Sequence, residues 1–292
     1  MASTIALRRR INSIRGTRQI TKALELVAGS KLRRAIAQAQ ASRDYRQAAY
    51  ELLAQLNTIK EVETQPLFRQ RPIKKRLYVV VTSNSGLAGA YNINVLKLLT
   101  KSVKQDKMES FKSIVITIGN KGAQFVRRLA DVELLAHYPA FGDHPTQGDI
   151  QPILRSLVEQ YVDTKVDEVI ILYTVFRSSI IQNAANLPLL PAKLEKNEKN
   201  ESPANLVMNF EPDVETVIHQ IATRLIEVQI WQALLEGLAS ELSMRMLAMK
   251  NATDNANDLI DDYTLEYNTA RQSQVTQELA EITGGAEALR EV

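Results

Sequence analysis

All nine prolines of this 292-residue chain fall between Pro66 and Pro212, so the first 65 and the last 80 residues contain none. Proline inside a helix removes a hydrogen bond and clashes with the preceding turn, a cost of about 3 kcal/mol or more. Long proline-free flanks are what two uninterrupted helices require. Glycine is nearly as scarce there: only Gly16 and Gly29 in the first flank, and only Gly237 between Pro212 and the Gly284-Gly285 pair.

The C-terminal flank carries a sustained heptad. A 4-3 spacing starts at Val214 and Ile218, passes Leu225, Leu235, Met249 and Ile260, and ends at Gln274, with fifteen of its eighteen positions apolar. Such a repeat marks a coiled coil. It predicts a helix over 213–283, roughly 105 Å long at about 1.5 Å per residue, with Pro212 in its first turn and Gly284-Gly285 as its stop. The N-terminal flank is less regular. Ile11, Ile14, Ile20, Leu24, Val27 and Leu32 mark one stretch, and Tyr45, Ala49, Leu52, Leu56 and Ile59 keep a 4-3-4-3 spacing. This predicts a helix over 3–59. Neither helix can bury its stripe alone. Residues 1–50 carry a net charge of +9 and residues 251–292 one of −7, so antiparallel pairing, which brings them together, is preferred.

The middle reads differently. Apolar, β-branched runs at 77–81, 113–118 and 168–173 alternate with helical stretches at about 90–105, 120–130 and 149–164. Alternation of this kind implies a mostly parallel sheet covered on both faces. The charged, asparagine-rich 195–204 predicts an exposed loop, with further edge strands at 187–192 and 205–211. The expected fold is therefore α/β: a long antiparallel coiled coil of N- and C-terminal helices (1–65 and 212–292) with a Rossmann-like α/β domain (66–211) inserted between them.

Little in the chain points to catalysis. With no cysteine, disulfides and thiolate chemistry are excluded. The turn SNSGLAGAYN follows the first strand, where doubly wound folds bind phosphate, but it has neither GxGxxG nor GxxxxGK[ST]. His137, His144 and His219 lack ligand spacing, and Asp261-Asp262 read as a solvated helix face, so no metal, cofactor or catalytic residue is expected. The basic N-terminal helix lacks aromatics for base stacking, so no nucleic-acid partner is expected. No apolar run is long enough to span a membrane. The Arg-rich start has the composition of a mitochondrial transit peptide. A freestanding coiled-coil scaffold and a nucleotide-dependent enzyme are the competing readings.

Two stretches are more specific. RRRINSIRGTRQITKALELVAGSKLRRA and SELSMRMLAMKNATDNANDLIDDYTLEYNTARQSQVTQELAEITGGAEAL closely resemble the two ends of the gamma subunits of F-type ATP synthases; SGLAGAYN and VQIWQALLEGLASE are similar to that family's central turn and its lead into the long helix. The likeness begins by Ile5, so no separate targeting extension is expected. It implies a non-catalytic central stalk, one copy per complex, transmitting rotation from the membrane c-ring to the alpha and beta subunits, with the epsilon subunit as a further partner. It also implies a peripheral membrane protein on the cytoplasmic face of a bacterial inner membrane. Residue by residue, the resemblance places contacts with the alpha/beta ring at Arg245, Arg271, Gln272, Thr276 and Glu278, and along the basic stretch Lys22, Lys31, Arg33 and Arg34. Asn84 and Ala88 stand where the family often has Asp and Cys.

Overall fold

A computed structural model describes residues 4–56, 65–142, 145–192 and 213–288. Two long helices, α1 (Thr4–Leu56) and the last helix (Val214–Ala288), flank a five-stranded sheet. The sheet elements run β1 (Lys75–Val81), α2 (Tyr91–Met108), β2 (Lys112–Ile118), α3 (Asn120–Val126), β3 (Glu133–Tyr138), α4 (Gln151–Val162), β4 (Glu168–Phe176) and β5 (Gln182–Leu190), and the last helix is α5. The contacts divide the chain into two compact units, Met1–Ala28 with Met246–Val292, and Gly29–Arg245.

In the larger unit the strand order is β3-β2-β1-β4-β5. The first four strands are parallel and β5 runs antiparallel to β4. Side-chain alternation splits the core in two. Leu77, Val79 and Val81 of β1 join Ile153 and Leu157 of α4 and Ala222, Ile226 and Ile230 of α5. Tyr78 and Val80 face the other way, with Val95 and Leu99 of α2 and Val126 of α3. The C-terminal helix thus supplies part of one covering layer of the sheet.

Two glycines allow the close approaches. Gly119 has φ 98, and a Cβ there would lie 2.1 Å from the Thr82 carbonyl oxygen, so no other residue fits this β2–α3 corner. At Gly237, where α5 crosses the end of β1, a Cβ would meet Val81 at 3.1 Å and the Tyr91 hydroxyl at 3.3 Å.

At the opposite edge of the strands a buried polar network fixes α2. Asp106 is fully buried and accepts hydrogen bonds from the Tyr78 hydroxyl at 2.8 Å and the Ser113 hydroxyl at 2.7 Å. It is also paired with Arg76, whose Nε reaches Glu168 at 2.5 Å. Burial and the hydrogen bond to Asp106 hold the Tyr78 phenol well above its ordinary pKa.

In the smaller unit the two helices are antiparallel. Thr4 meets Gln274 at 3.4 Å, Arg10 stacks over Tyr263 at 5.8 Å, Arg18 donates to Asn257 at 3.2 Å, and the Thr253 hydroxyl lies 2.8 Å from that of Thr21. Among the described residues of this unit no ion pair crosses the seam: the opposite charges of the two flanks act through cation–π and amide contacts and through the general field. The C-terminal heptad is observed as read, with Met249, Thr253, Ala256 and Ile260 buried. The N-terminal stripe needs correction. The buried row is Leu7, Ile11, Thr21 and Ala28, continued by Leu32, Ala35 and Ala39 in the larger unit, while Ile20 and Val27 are 63% and 51% exposed. The seam keeps strict 4-3 spacing through half-buried Ile14, Arg18 and Glu25, and those two charged residues hide it from an apolar count.

Three boundaries also differ from the sequence reading. Helix α5 runs through Gly284-Gly285 to Ala288, because two glycines cost a helix only about 1 kcal/mol each and need not end it. Its N-terminus is capped by Asp213, which accepts from the Thr216 backbone N–H at 2.8 Å. Strand β3 (Glu133–Tyr138) was not anticipated, and the hairpin strand β5 begins at Gln182 rather than at residue 187. The expected strand at 205–211, the 195–204 loop, Pro212, His144 and Ile59 lie outside the described residues.

Replacing Asp106 with Ala leaves the buried Tyr78 and Ser113 hydroxyls unpaired and Arg76 with Glu168 alone, and should lower unfolding stability by about 3 kcal/mol, measured by urea denaturation; no loss would show the network to be inert. In the seam, Thr21→Val and Thr253→Val should each cost about 1 kcal/mol. The double variant should cost less than their sum, since the paired hydroxyls leave together. Strict additivity in the cycle would rule out the Thr–Thr coupling.

Candidate partner-binding surface and the closed crevice

Order β3-β2-β1-β4-β5 reverses direction between β1 and β4, and open α/β sheets bind ligands outside the carboxyl ends of strands at such a point. Here that position is occupied by the chain itself. Trp231, Leu234, Leu235, Leu238 and Glu241 of α5 meet Val81, Thr82, Tyr91, Ile118 and Phe141 around a small residual cavity. The turn that follows β1 is engaged internally. Thr82 Oγ1 donates to the Ile118 carbonyl at 3.0 Å and accepts from the Gly122 N–H at 2.9 Å. The Ser83 N–H donates to Asn92 Oδ1 at 2.9 Å. Asn84 exchanges two hydrogen bonds with the Ala140 backbone, donating through Nδ2 and accepting through Oδ1, both at 2.9 Å. Aspartate could make only the second of these, so asparagine has a specific use at this position. Ala88 is buried, and Leu87 is held in the left-handed region at φ 63 with its side chain 64% exposed.

Arg245 closes the arrangement. It pairs with Glu241, one turn earlier, at 2.7 Å, and its Nη2 donates to the Ser85 hydroxyl at 3.2 Å and the Gly86 carbonyl at 3.4 Å. Burial raises the Glu241 pKa, and Arg245 opposes the shift. Burial, followed by the Glu241 charge, raises the phenol of Tyr91 well above its ordinary value. The residue singled out as a partner contact is therefore also a clamp between α5 and the strand–helix turn, a role the sequence did not disclose because Ser85 and Arg245 are 160 positions apart.

Arg271, Gln272, Thr276 and Glu278 are all exposed on α5. At about 100° per residue, Arg271 and Glu278 fall on one line with Val275 and Ile282, and Gln272 and Thr276 lie on the adjoining one with Leu265. The first line borders the seam row Tyr263, Tyr267, Ala270, and the second lies opposite it. The apolar members of this surface are open to solvent: Leu265 is 70% exposed, Val275 48%, Leu279 58% and Ile282 68%. Helix α1 begins at Thr4, opposite Gln274, so α5 continues for several turns past the last described residue that could pair with it.

The basic residues of α1 do not form one patch. Lys22 is exposed and paired with Glu25 at 3.0 Å, Lys31 is half-buried, and Arg33 and Arg34 are exposed. Helical spacing puts Lys22 and Arg33 on one flank with Leu26, and Lys31 and Arg34 on the other with Ile20 and Val27. Sequence reasoning took Ile20 and Val27 for core and so missed these exposed apolar neighbours. Among the described residues no cluster of His, Asp and Glu could hold a metal ion, and no helix is long and apolar enough to cross a membrane.

Replacing Arg245 with Met should make the stability deficit pH-dependent. Below the ordinary glutamate pKa of 4.5 Glu241 is protonated in both states, and little is lost. As pH rises through Glu241's raised native pKa the carboxylate ionises and needs its partner, so the deficit should grow to about 2 kcal/mol near neutrality. A deficit equal at pH 4 and pH 7 in denaturant titrations would contradict the clamp.

A family description, ATP synthase, matches residues 3–289. The chain is 38% identical over 289 residues to the ATP synthase gamma chain of Desulfitobacterium hafniense, covering 99% of this chain and 100% of that one. It is likewise 38% identical over 290 residues to that of Moorella thermoacetica, with the same coverage. A similar fold occurs in the Euglena gracilis mitochondrial ATP synthase (OSCP/F1/c-ring), with a TM-score of 0.69 at 18% identity, covering 98% of this chain and 94% of the other. The central stalk/c-ring structure of the Tetrahymena thermophila mitochondrial enzyme matches with a TM-score of 0.62 at 22% identity, covering 80% of this chain and 99% of the other. With near-complete coverage in both directions and this level of identity, the chain belongs to the ATP synthase gamma chain family.

Proposed function

We propose that this chain is the central stalk of a rotary F-type ATP synthase, transmitting rotation from a membrane ion-driven ring to a catalytic ring of alpha and beta subunits. Residues 1–65 and 212–292 form the shaft and residues 66–211 the domain inserted into it. One copy serves each complex, with the epsilon subunit and the c-ring as partners of the inserted domain. The complex sits at the cytoplasmic face of a bacterial inner membrane, as a peripheral part of it. The chain itself catalyses nothing and holds no cofactor.

The observation that carries this reading is the end of α5. A helix exposing Val275, Leu279 and Ile282 at 4-3 spacing is unfavourable in water and favourable inside a sleeve supplied by other subunits. The polar members of that face suit the same setting: Arg271, Gln272, Thr276 and Glu278 supply charge-assisted and amide hydrogen bonds that hold a shaft at defined angles. Arg245, Lys22, Lys31, Arg33 and Arg34 add contacts lower on the shaft, Arg245 entering them already paired to Glu241. The closed crevice supports a non-catalytic role, because α5 fills the place where a Rossmann-like sheet takes its nucleotide. An α5 uninterrupted by proline from Val214 to Ala288 also suits torque transmission, since kinks are the usual points of bending.

Tagged chain purified from its native membranes should bring down alpha, beta and epsilon subunits with ATPase activity. Recovery alone or as a homo-oligomer would favour the scaffold reading. Arg271→Ala with Gln272→Ala should lower turnover of the assembled complex roughly tenfold, the effect of losing about 1.5 kcal/mol of charge-assisted hydrogen bonding, without changing the helicity of the free chain. Unaltered turnover would remove these two residues from the contact set.

A further inference from the structure

The outer face of α2 carries a feature that the shaft does not explain. Lys97, Lys101 and Lys104 are exposed at 4-3 spacing and rim a groove of about 470 Å³ between α2 and α3 whose floor is Leu96 and Phe125. A second depression of about 310 Å³, sharing Thr100 and Lys104 and floored by Val103 and Leu129, continues it. Ile93, 54% exposed, stands at the far end. From Ile93 to Lys107 the groove follows α2 for about 21 Å, at about 1.5 Å per residue, or roughly four helical turns.

Its charge is one-sided. The only carboxylate within α2 is Asp106, which is buried and bound to Arg76, Tyr78 and Ser113. Lys107 at the end of the groove is neutralised by Asp131 at 2.6 Å. Among the described residues no carboxylate pairs with Lys97, Lys101 or Lys104, and Arg127 and Arg128 extend the positive surface beyond α3. Thr100 offers no free donor to a small anion, because its hydroxyl donates to the Leu96 carbonyl at 2.9 Å. Lysine ammoniums can pair with phosphates, but a phosphate or a nucleic-acid backbone would leave the recessed apolar floor beneath them unfilled. Nor does the groove suit a membrane, which takes up protruding apolar side chains. It suits an amphipathic helix whose apolar stripe fills the floor and whose flanks are acidic.

We propose that the α2–α3 groove is a docking site for an acidic amphipathic helix of a partner protein, about three to four turns long, separate from the shaft contacts and independent of them. The lysine row sets its orientation and its preference for acidic partners.

The test uses the full chain and a lactam-stapled, fluorescein-labelled 15-residue helix with leucines at 4-3 spacing and glutamates beside them. Two further probes accompany it: a peptide of the same composition with the spacing scrambled, and phosphatidylglycerol vesicles. Fluorescence anisotropy should show micromolar binding of the amphipathic helix and at least tenfold weaker binding of the scrambled one. Lys97→Glu with Lys101→Glu should weaken binding at least tenfold. Lys74→Glu with Lys75→Glu, an equal charge change elsewhere, should leave it within twofold. Circular dichroism checks that each variant is folded. Equal binding of the scrambled peptide, equal loss in both double variants, or Lys97- and Lys101-dependent binding of vesicles in place of the peptide would each overturn the proposal.

Discussion

The structure depends on one helix serving two kinds of burial. The first half of α5 covers the sheet through Ala222, Ile226, Ile230 and Leu234, which requires an apolar surface wide enough for a domain core. Its second half buries only the narrow row Met249, Thr253, Ala256 and Ile260, which a two-helix seam requires. The change in width occurs within a continuous heptad, and it separates the part of α5 that belongs to a globular unit from the part that presents side chains outward. Gly237 and the Arg245–Glu241 pair lie in the region of this change. The first lets the helix approach the sheet end closely, and the second fastens it to the turn after β1.

Polar groups in the interior specify rather than merely stabilise. A seam built only of leucine and isoleucine would slide by a heptad at little cost. Thr21 opposite Thr253 and Arg18 opposite Asn257 make other registers leave hydroxyls or a guanidinium without partners. The Asp106 network acts similarly for α2, tying one helix to three side chains of β1 and β2. A shaft that carries torque needs a fixed register more than it needs added stability, and such pairs provide it.

Much of this was legible in the sequence because the strongest signals are one-dimensional. Proline placement separated flanks from middle, and an apolar repeat every three to four residues survived the three polar positions Gln232, Thr253 and Gln274 in α5. In α1 the same reasoning failed: Arg18, Thr21 and Glu25 occupy seam positions while Ile20 and Val27 face outward, so hydrophobicity pointed to the wrong face. A coiled-coil seam is set by spacing, and a helix that has apolar residues on more than one face defeats a count of them. Strand β3 was missed because Glu133–Tyr138 is only half-buried at the sheet edge and lacks a β-branched run. The Arg245 clamp and the Asn84–Ala140 exchange could not be read at all, since both join residues far apart in the chain through polar contacts that leave no periodic trace.

Rotation of the chain is the central claim, and it can be watched directly. Because the chain has no cysteine, Ile180→Cys on the exposed β4–β5 hairpin gives a unique attachment point for a bead, with the alpha/beta ring of the assembled complex fixed to a surface. The account predicts that ATP drives sustained, unidirectional rotation of the bead. ATP hydrolysis by the assembled complex with the bead stationary, while the same complex retains this chain, would contradict it.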